Sequence, residues 1–141
     1  MGKKRITKKF IIFIIFTIIF MLIGGVKIFM VLSNPLRRAE EKIKSDILII
    51  TPIGTSIEEV VKAVEGKDKW EIGQLRNFGY SMRDGRPSDG SNGGLQIGEK
   101  SFRALIGSYL NIQKVTVVVY WGFDENDELI NVAVGKEVDA T

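Results

Sequence analysis

Residues 10–32, FIIFIIFTIIFMLIGGVKIFMVL, form an unbroken apolar run carrying one charge, Lys27. At about 1.5 Å per helical residue the run reaches roughly 35 Å, and a hydrocarbon core is about 30 Å thick. β-Branched Ile and bulky Phe favour strand in water. In lipid, a lone segment must satisfy every backbone N–H and C=O within itself, which requires a helix. The pattern therefore predicts a transmembrane helix over 10–32, with the lipid bilayer as its partner. Lys27 lies close enough to the end for its stem to snorkel to the interface. The competing expectation is a secreted ligand-binding or inhibitor domain, released by signal cleavage near Ser33. The basic start fits a signal peptide, but the apolar run exceeds the usual core of about 7–15 residues and lacks an A-x-A site.

Charge sets the orientation. The tail at 1–9 carries Lys3, Lys4, Arg5, Lys8 and Lys9 and no acid. Beyond the run, Arg37, Arg38, Lys42 and Lys44 are partly balanced by Glu40 and Glu41, so the positive-inside rule predicts a cytoplasmic N-terminus. The C-terminal part is then displayed outside the cell membrane. Without those five residues and Lys27, the remaining 14 basic side chains face 17 acidic ones. The overall net charge of +3 is thus a topology signal and does not point to nucleic acid, which would need a basic stripe with stacking aromatics.

The chain has no Cys and no His, which excludes thiolate nucleophiles, imidazole acid–base chemistry, the usual zinc sites and a lipidated cysteine anchor. No catalytic residue, cofactor or metal set is expected, and the reading is non-enzymatic.

Ser33-Asn34-Pro35 marks a break, with Pro suited to the first position of a new helix. Residues 36–50 read as helical, with Leu36, Ala39, Ile43, Ile47 and Ile50 on one stripe. That stripe serves either to dock on the domain or to form a homodimer through 36–50. The organisation expected is a linker or stalk helix at 33–45 and an extracytoplasmic α+β domain at 46–141. Thr55 with Glu58, or Ser56 with Glu59, forms a capping box for a helix of about ten residues. Ile57, Val60, Val61 and Val64 supply its buried stripe, and Gly66 is suited to end it in a left-handed conformation. Glu58 and Glu59 point about 100° apart and fit capping and dipole roles better than catalysis.

Trp70–Tyr80 is a strand candidate interrupted by Gly73 and Gly79. Residues 84–94, DGRPSDGSNGG, read as a long mobile loop. Residues 101–110 fit a helix or a strand, with the strand preferred. In KVTVVVYWGF, residues 115, 117, 119, 121 and 123 share one face. After the DENDE turn, Ile130, Val132 and Val134 alternate with Asn131, Ala133 and Gly135, predicting an antiparallel hairpin with one core face. The fold class is α+β: a transmembrane helix, then two helices packed on a three- or four-stranded antiparallel sheet.

Gly93–Ser101, GGLQIGEKS, approaches a P-loop, but Glu99 separates Gly98 from Lys100, which shifts the register and repels phosphate. DENDE places oxygens at alternate positions, yet Leu129 stands where a calcium loop needs glycine and no closing Glu follows. The carboxylates Asp124, Glu125, Asp127 and Glu128 sit on one exposed turn that offers no burial to raise a pKa. Tyr120 and Trp121 are the candidate contacts for a protein partner, as aromatics commonly anchor interfaces.

Gly54-Thr55-Ser56-Ile57-Glu58-Glu59-Val60, followed by VVVYWGFDENDELINVAV, resembles the SmpA/OmlA, or BamE-like, family of small bacterial envelope proteins. The late Trp121-Gly122-Phe123-Asp124 run also resembles uncharacterised single-pass membrane proteins of Gram-positive bacteria. The resemblance covers residues 46–138. It implies two helices on a three-stranded antiparallel sheet and a non-enzymatic role with an envelope protein partner. The family's lipidated Cys is absent here, and the loop at 84–94 is longer.

Overall fold

A computed structural model describes residues 8–90 and 93–138. Lys3, Lys4 and Arg5 lie outside the described residues, as do the side chains at 8–11, 27 and 30–32. The chain divides into two units, residues 1–37 and 38–141.

In the first unit, helix α1 spans Lys8–Leu32 over 25 residues. Its described apolar side chains are exposed, among them Phe13, Phe16, Phe20 and Met21. Among the described residues no helix is long and apolar enough to cross a membrane. The described side chains run without a gap only from Ile12 to Val26, which is about 22 Å of helix against a core of about 30 Å. The expected span of 10–32 takes in positions outside that stretch. After α1, a 3-10 turn at Pro35–Arg37 closes this unit, with the Asn34 side chain accepting from the Leu36 amide.

The second unit is α+β. Helix α2 begins at Glu40, not at residue 36, and runs to Ile50. It continues through residue 46, where the stalk was expected to give way to the domain, and packs on the last strand. Ile43 and Ile47 are buried while Ile49 and Ile50 are exposed. Of the expected stripe, Ile43 and Ile47 are thus buried in the domain, while Ile50 stays exposed. Helix α3 spans Ile57–Glu65, and Ser56 caps it by accepting from the Glu59 amide. Ile57, Val60 and Val64 are its buried face. Gly66 ends it at φ −69°, so the expected left-handed cap is replaced by a right-handed turn.

Among the described residues seven strands follow: β1 Glu71–Ile72, β2 Tyr80–Arg83, β3 Arg86–Ser88, β4 Leu95–Ile97, β5 Lys100–Leu110, β6 Lys114–Phe123 and β7 Leu129–Val138. They form two antiparallel sheets, ordered β1-β5-β6-β7 and β3-β2-β4. Residues 101–110 are strand, as preferred. Of the candidate strand at 70–80 only Glu71–Ile72 and Tyr80, the first residue of β2, are strand. Part of the expected loop at 84–94 is instead the hairpin β2–β3, turned by Asp84 and Gly85, both at positive φ. An Asp-Gly pair suits this tight turn because both positions need left-handed backbone.

The single core face expected for the hairpin is corrected, because β6 is buried from Val115 to Phe123 on both faces. On one face Trp121 donates its indole N–H to the Thr51 hydroxyl at 3.0 Å, at the end of α2. Its ring centroid lies 5.0 Å from Phe102 and 6.4 Å from Trp70. On the other face Tyr80, Val118, Tyr120 and Ala133 form a second cluster, flanked by Met82 and Ile97 of the small sheet. Strand β6 thus has the continuous apolar character of a strand covered on both sides.

Between Gly122 and Phe123 the register with β7 shifts, Phe123 pairing Leu129 and Gly122 pairing Asn131. Ile130 is the extra residue, and it is exposed while Leu129 is buried. The expected core position at Ile130 is lost to this β-bulge, which re-aims a side chain by inserting one residue.

Candidate functional site

Three turns from separate parts of the chain converge at one end of the main sheet. The Gly54 amide donates to the Leu129 carbonyl at 2.8 Å, and the Ile57 amide to the Asp127 carbonyl at 2.9 Å. From the β4–β5 turn, the Glu99 amide donates to the Phe123 carbonyl at 2.8 Å. Gly98 stands at φ +81°, and a Cβ there would meet the Phe123 carbonyl oxygen at 2.7 Å. Only glycine lets the turn approach this closely. Asp124 organises the β6–β7 turn, one carboxylate oxygen accepting from the amides of Asn126 and Glu128.

The result is an open groove of about 640 Å³ lined by Gln96, Gly98, Glu99, Asp124, Glu125 and Ile130. The bulge supplies its apolar residue, and three carboxylates supply its charge. Glu58 at the start of α3 and Glu128 on the β6–β7 turn are exposed nearby, and Lys100 pairs with Asp127. Among the described residues no group of three or more Asp or Glu is placed to hold a metal ion. An exposed apolar side chain ringed by carboxylates is suited to a basic, partly apolar polypeptide segment.

A second polar cluster lies beside the small sheet. Asp89 receives Arg76 at 2.9 Å on one carboxylate oxygen and Arg103 at 2.6 Å on the other. Arg103 also hydrogen-bonds the Tyr120 phenol, which donates to Glu137 at 3.3 Å. Through Asp89 the segment after β3 is tied to Arg103 of β5 and to Arg76, which bridges Ser101 of the same strand, the two guanidinium groups sharing one carboxylate.

Tyr120 and Trp121, expected at a partner surface, are 2 % and 0 % exposed. They belong to the two cores and are not available as contacts. The unbroken apolar run Val117–Val119 leading into them was the available signal, since half-exposed strands alternate. The groove was missed because its members are distant in sequence and only the bulge turns Ile130 outward.

Burial pushes the Tyr120 phenol up to about 12, helped by the Asp89 and Glu137 carboxylates and opposed by the Arg103 hydrogen bond. Burial also raises Tyr80 well above the usual phenol. In the unfolded chain both titrate near 10. Their contribution to stability is therefore complete below about pH 10, and falls as pH climbs from there toward 12, because the unfolded chain releases these protons first. Ultraviolet titration of phenolate should show these two tyrosines ionising only as the domain unfolds. Reversible ionisation of Tyr80 and Tyr120 near pH 10 in folded protein would contradict the burial.

No family model, curated protein or solved structure matches the chain.

Proposed function

We propose that the chain is a single-pass membrane protein of the cell envelope whose α+β domain is a non-enzymatic interaction module, displayed outside the cell for a protein partner. The observation that carries the anchor is α1: 25 helical residues whose described apolar side chains lie exposed, within a sequence that is apolar from 10 to 32. Such a surface is costly in water and favourable in lipid. The basic tail with Lys3, Lys4, Arg5, Lys8 and Lys9 orients it with the N-terminus inside. The acidic groove with Ile130 is the surface offered to the partner, because both faces of β6 are already covered. The motif resemblance to the BamE-like family favours the same kind of role.

The chain has no cysteine, so single-cysteine variants report position cleanly. A membrane-impermeant maleimide should label Glu125→Cys on intact cells, and Lys4→Cys only after permeabilisation. The reverse pattern would overturn the orientation. A mature mass lacking residues 1–32 would favour the released domain. In-cell crosslinking from Glu125 should recover one specific envelope protein, and loss of that adduct in Ile130→Asp would place the contact at the groove.

A further inference from the structure

Strand β7 ends where α2 begins: Lys136 donates its ammonium to the Arg38 carbonyl and lies over the Tyr109 ring, 5.7 Å from its centroid. Arg38 in turn pairs with Asp46 of α2 at 3.2 Å. The β5–β6 turn sits at this same end, since Tyr109 pairs with Val115 and Val115 with Val138. Its apex is Asn111-Ile112-Gln113, closed by the Asn111 amide donating to the Gln113 carbonyl at 3.0 Å. Turn apices usually carry Gly, Asn, Asp or Ser. Here the apex residue is Ile112, 96 % exposed; Leu110 at 70 % and Val138 at 54 % lie at the same end of the sheet, on opposite faces.

The charge of the domain is uneven between its ends. The far end holds Glu58, Glu99, Asp124, Glu125 and Glu128, with Lys100 already paired to Asp127. The turn end holds Lys42, Lys114 and Lys136 with Glu40, Glu41 and Glu137, and Arg38 already paired to Asp46. Only the turn end can meet an anionic bilayer surface without strong repulsion. Covalent geometry adds a constraint: the five residues 33–37 separate Leu32 from Arg38, a reach of at most about 20 Å. An 11-residue strand such as β5 spans about 35 Å. Anchoring at 10–32 therefore tethers the end that carries Arg38, and with it the exposed apolar turn.

We infer that the β5–β6 turn is a second membrane contact, with the apex residue Ile112 entering the interfacial layer of the lipid surface. The inference rests on the anchored reading and adds to it a second point of contact with the lipid. Apolar side chains at a basic or neutral edge partition into the interface with an affinity that scales with buried area. The acidic groove, at the opposite end, is then held away from the lipid.

The test uses the full chain in vesicles of phosphatidylcholine and phosphatidylglycerol, with a fluorophore on Gln113→Cys, Glu125→Cys or Phe20→Cys. A lipid-borne quencher should act several-fold more on the 113 reporter than on the 125 reporter, and aqueous iodide should show the opposite order. Adding Ile112→Asp should abolish lipid quenching at 113 while leaving Phe20 protected from iodide. Equal iodide quenching at 113 and 125, with Phe20 protected, would overturn the turn contact and leave the anchor standing. Iodide access to Phe20 and 113 alike would overturn both. Lipid quenching at 113 that persists in Ile112→Asp would overturn the role of Ile112.

Discussion

Replacing Trp121 by Ala should lower the stability of the domain by about 3–5 kcal/mol, the range for truncating a fully buried large aromatic. Trp121 is 0 % exposed, fills the space between Phe102 and Trp70, and is the donor to the buried Thr51 hydroxyl. Truncation removes packing on three elements and leaves that hydroxyl without its donor. A domain of this size has about 5–15 kcal/mol in total, so the variant should stand near its unfolding threshold. Denaturant titration of the full chain in detergent, followed by near-ultraviolet circular dichroism, measures the loss. A midpoint within experimental error of the parent would show that Trp121 is not the centre of the core. Trp121→Phe should recover much of the packing but not the hydrogen bond, separating the two contributions.

The second large effect is expected at Gly79. A Cβ on this residue would meet the Gly98 carbonyl oxygen at 2.1 Å and the Ile97 carbonyl oxygen at 2.2 Å. Both contacts are backbone, so no side chain can swing aside. Gly79→Ala must push β4 away from the segment leading into β2, at about 2 kcal/mol or more by the measure of overpacked sites. The damage should be local first: amides of Tyr80–Met82 and Leu95–Ile97 should lose hydrogen-exchange protection while β6 and β7 keep theirs. Gly54→Ala provides the contrast. Nothing lies within 4 Å of its Cβ position, although φ is +86°, so it should cost only the strain of a left-handed alanine, about 1 kcal/mol. Equal losses at Gly79 and Gly54 would mean that the close approach at Gly79 is absent.

The parts of the fold that were legible are those whose signal is local. Ser56 before Ile57 and Val60 is a capping pattern that needs no tertiary context, and the structure places the cap at Ser56. The β6–β7 hairpin was legible from two apolar runs around an acidic turn. What was not legible depends on partners far along the chain. Val118 and Tyr120 look like the outer face of a strand until the small sheet is known. That sheet was hidden because Arg86-Pro87-Ser88 carries no apolar alternation and Pro argues against a strand. Proline is tolerated there because β3 is an edge of the sheet. The groove was illegible for a related reason: LINVAV reads as a strand in either register, and only the pairing with Gly122 and Phe123 shows which residue is expelled.

The double covering of β6 also bears on how the chain reaches its fold. KVTVVVYWGF is β-prone, carries one charge and has no proline, which are the properties of segments that self-associate when left uncovered. Its neighbours β5 and β7 close its edges through short turns, a fast and local event. Its two faces are closed by Thr51 and Tyr80, one of them 70 residues away in the chain, and such distant closures come late. Between those events lies a sheet with protected edges and two open apolar faces. That interval, with two apolar faces still open, is when the chain is most exposed to self-association, so the yield of refolded domain should fall as chain concentration rises.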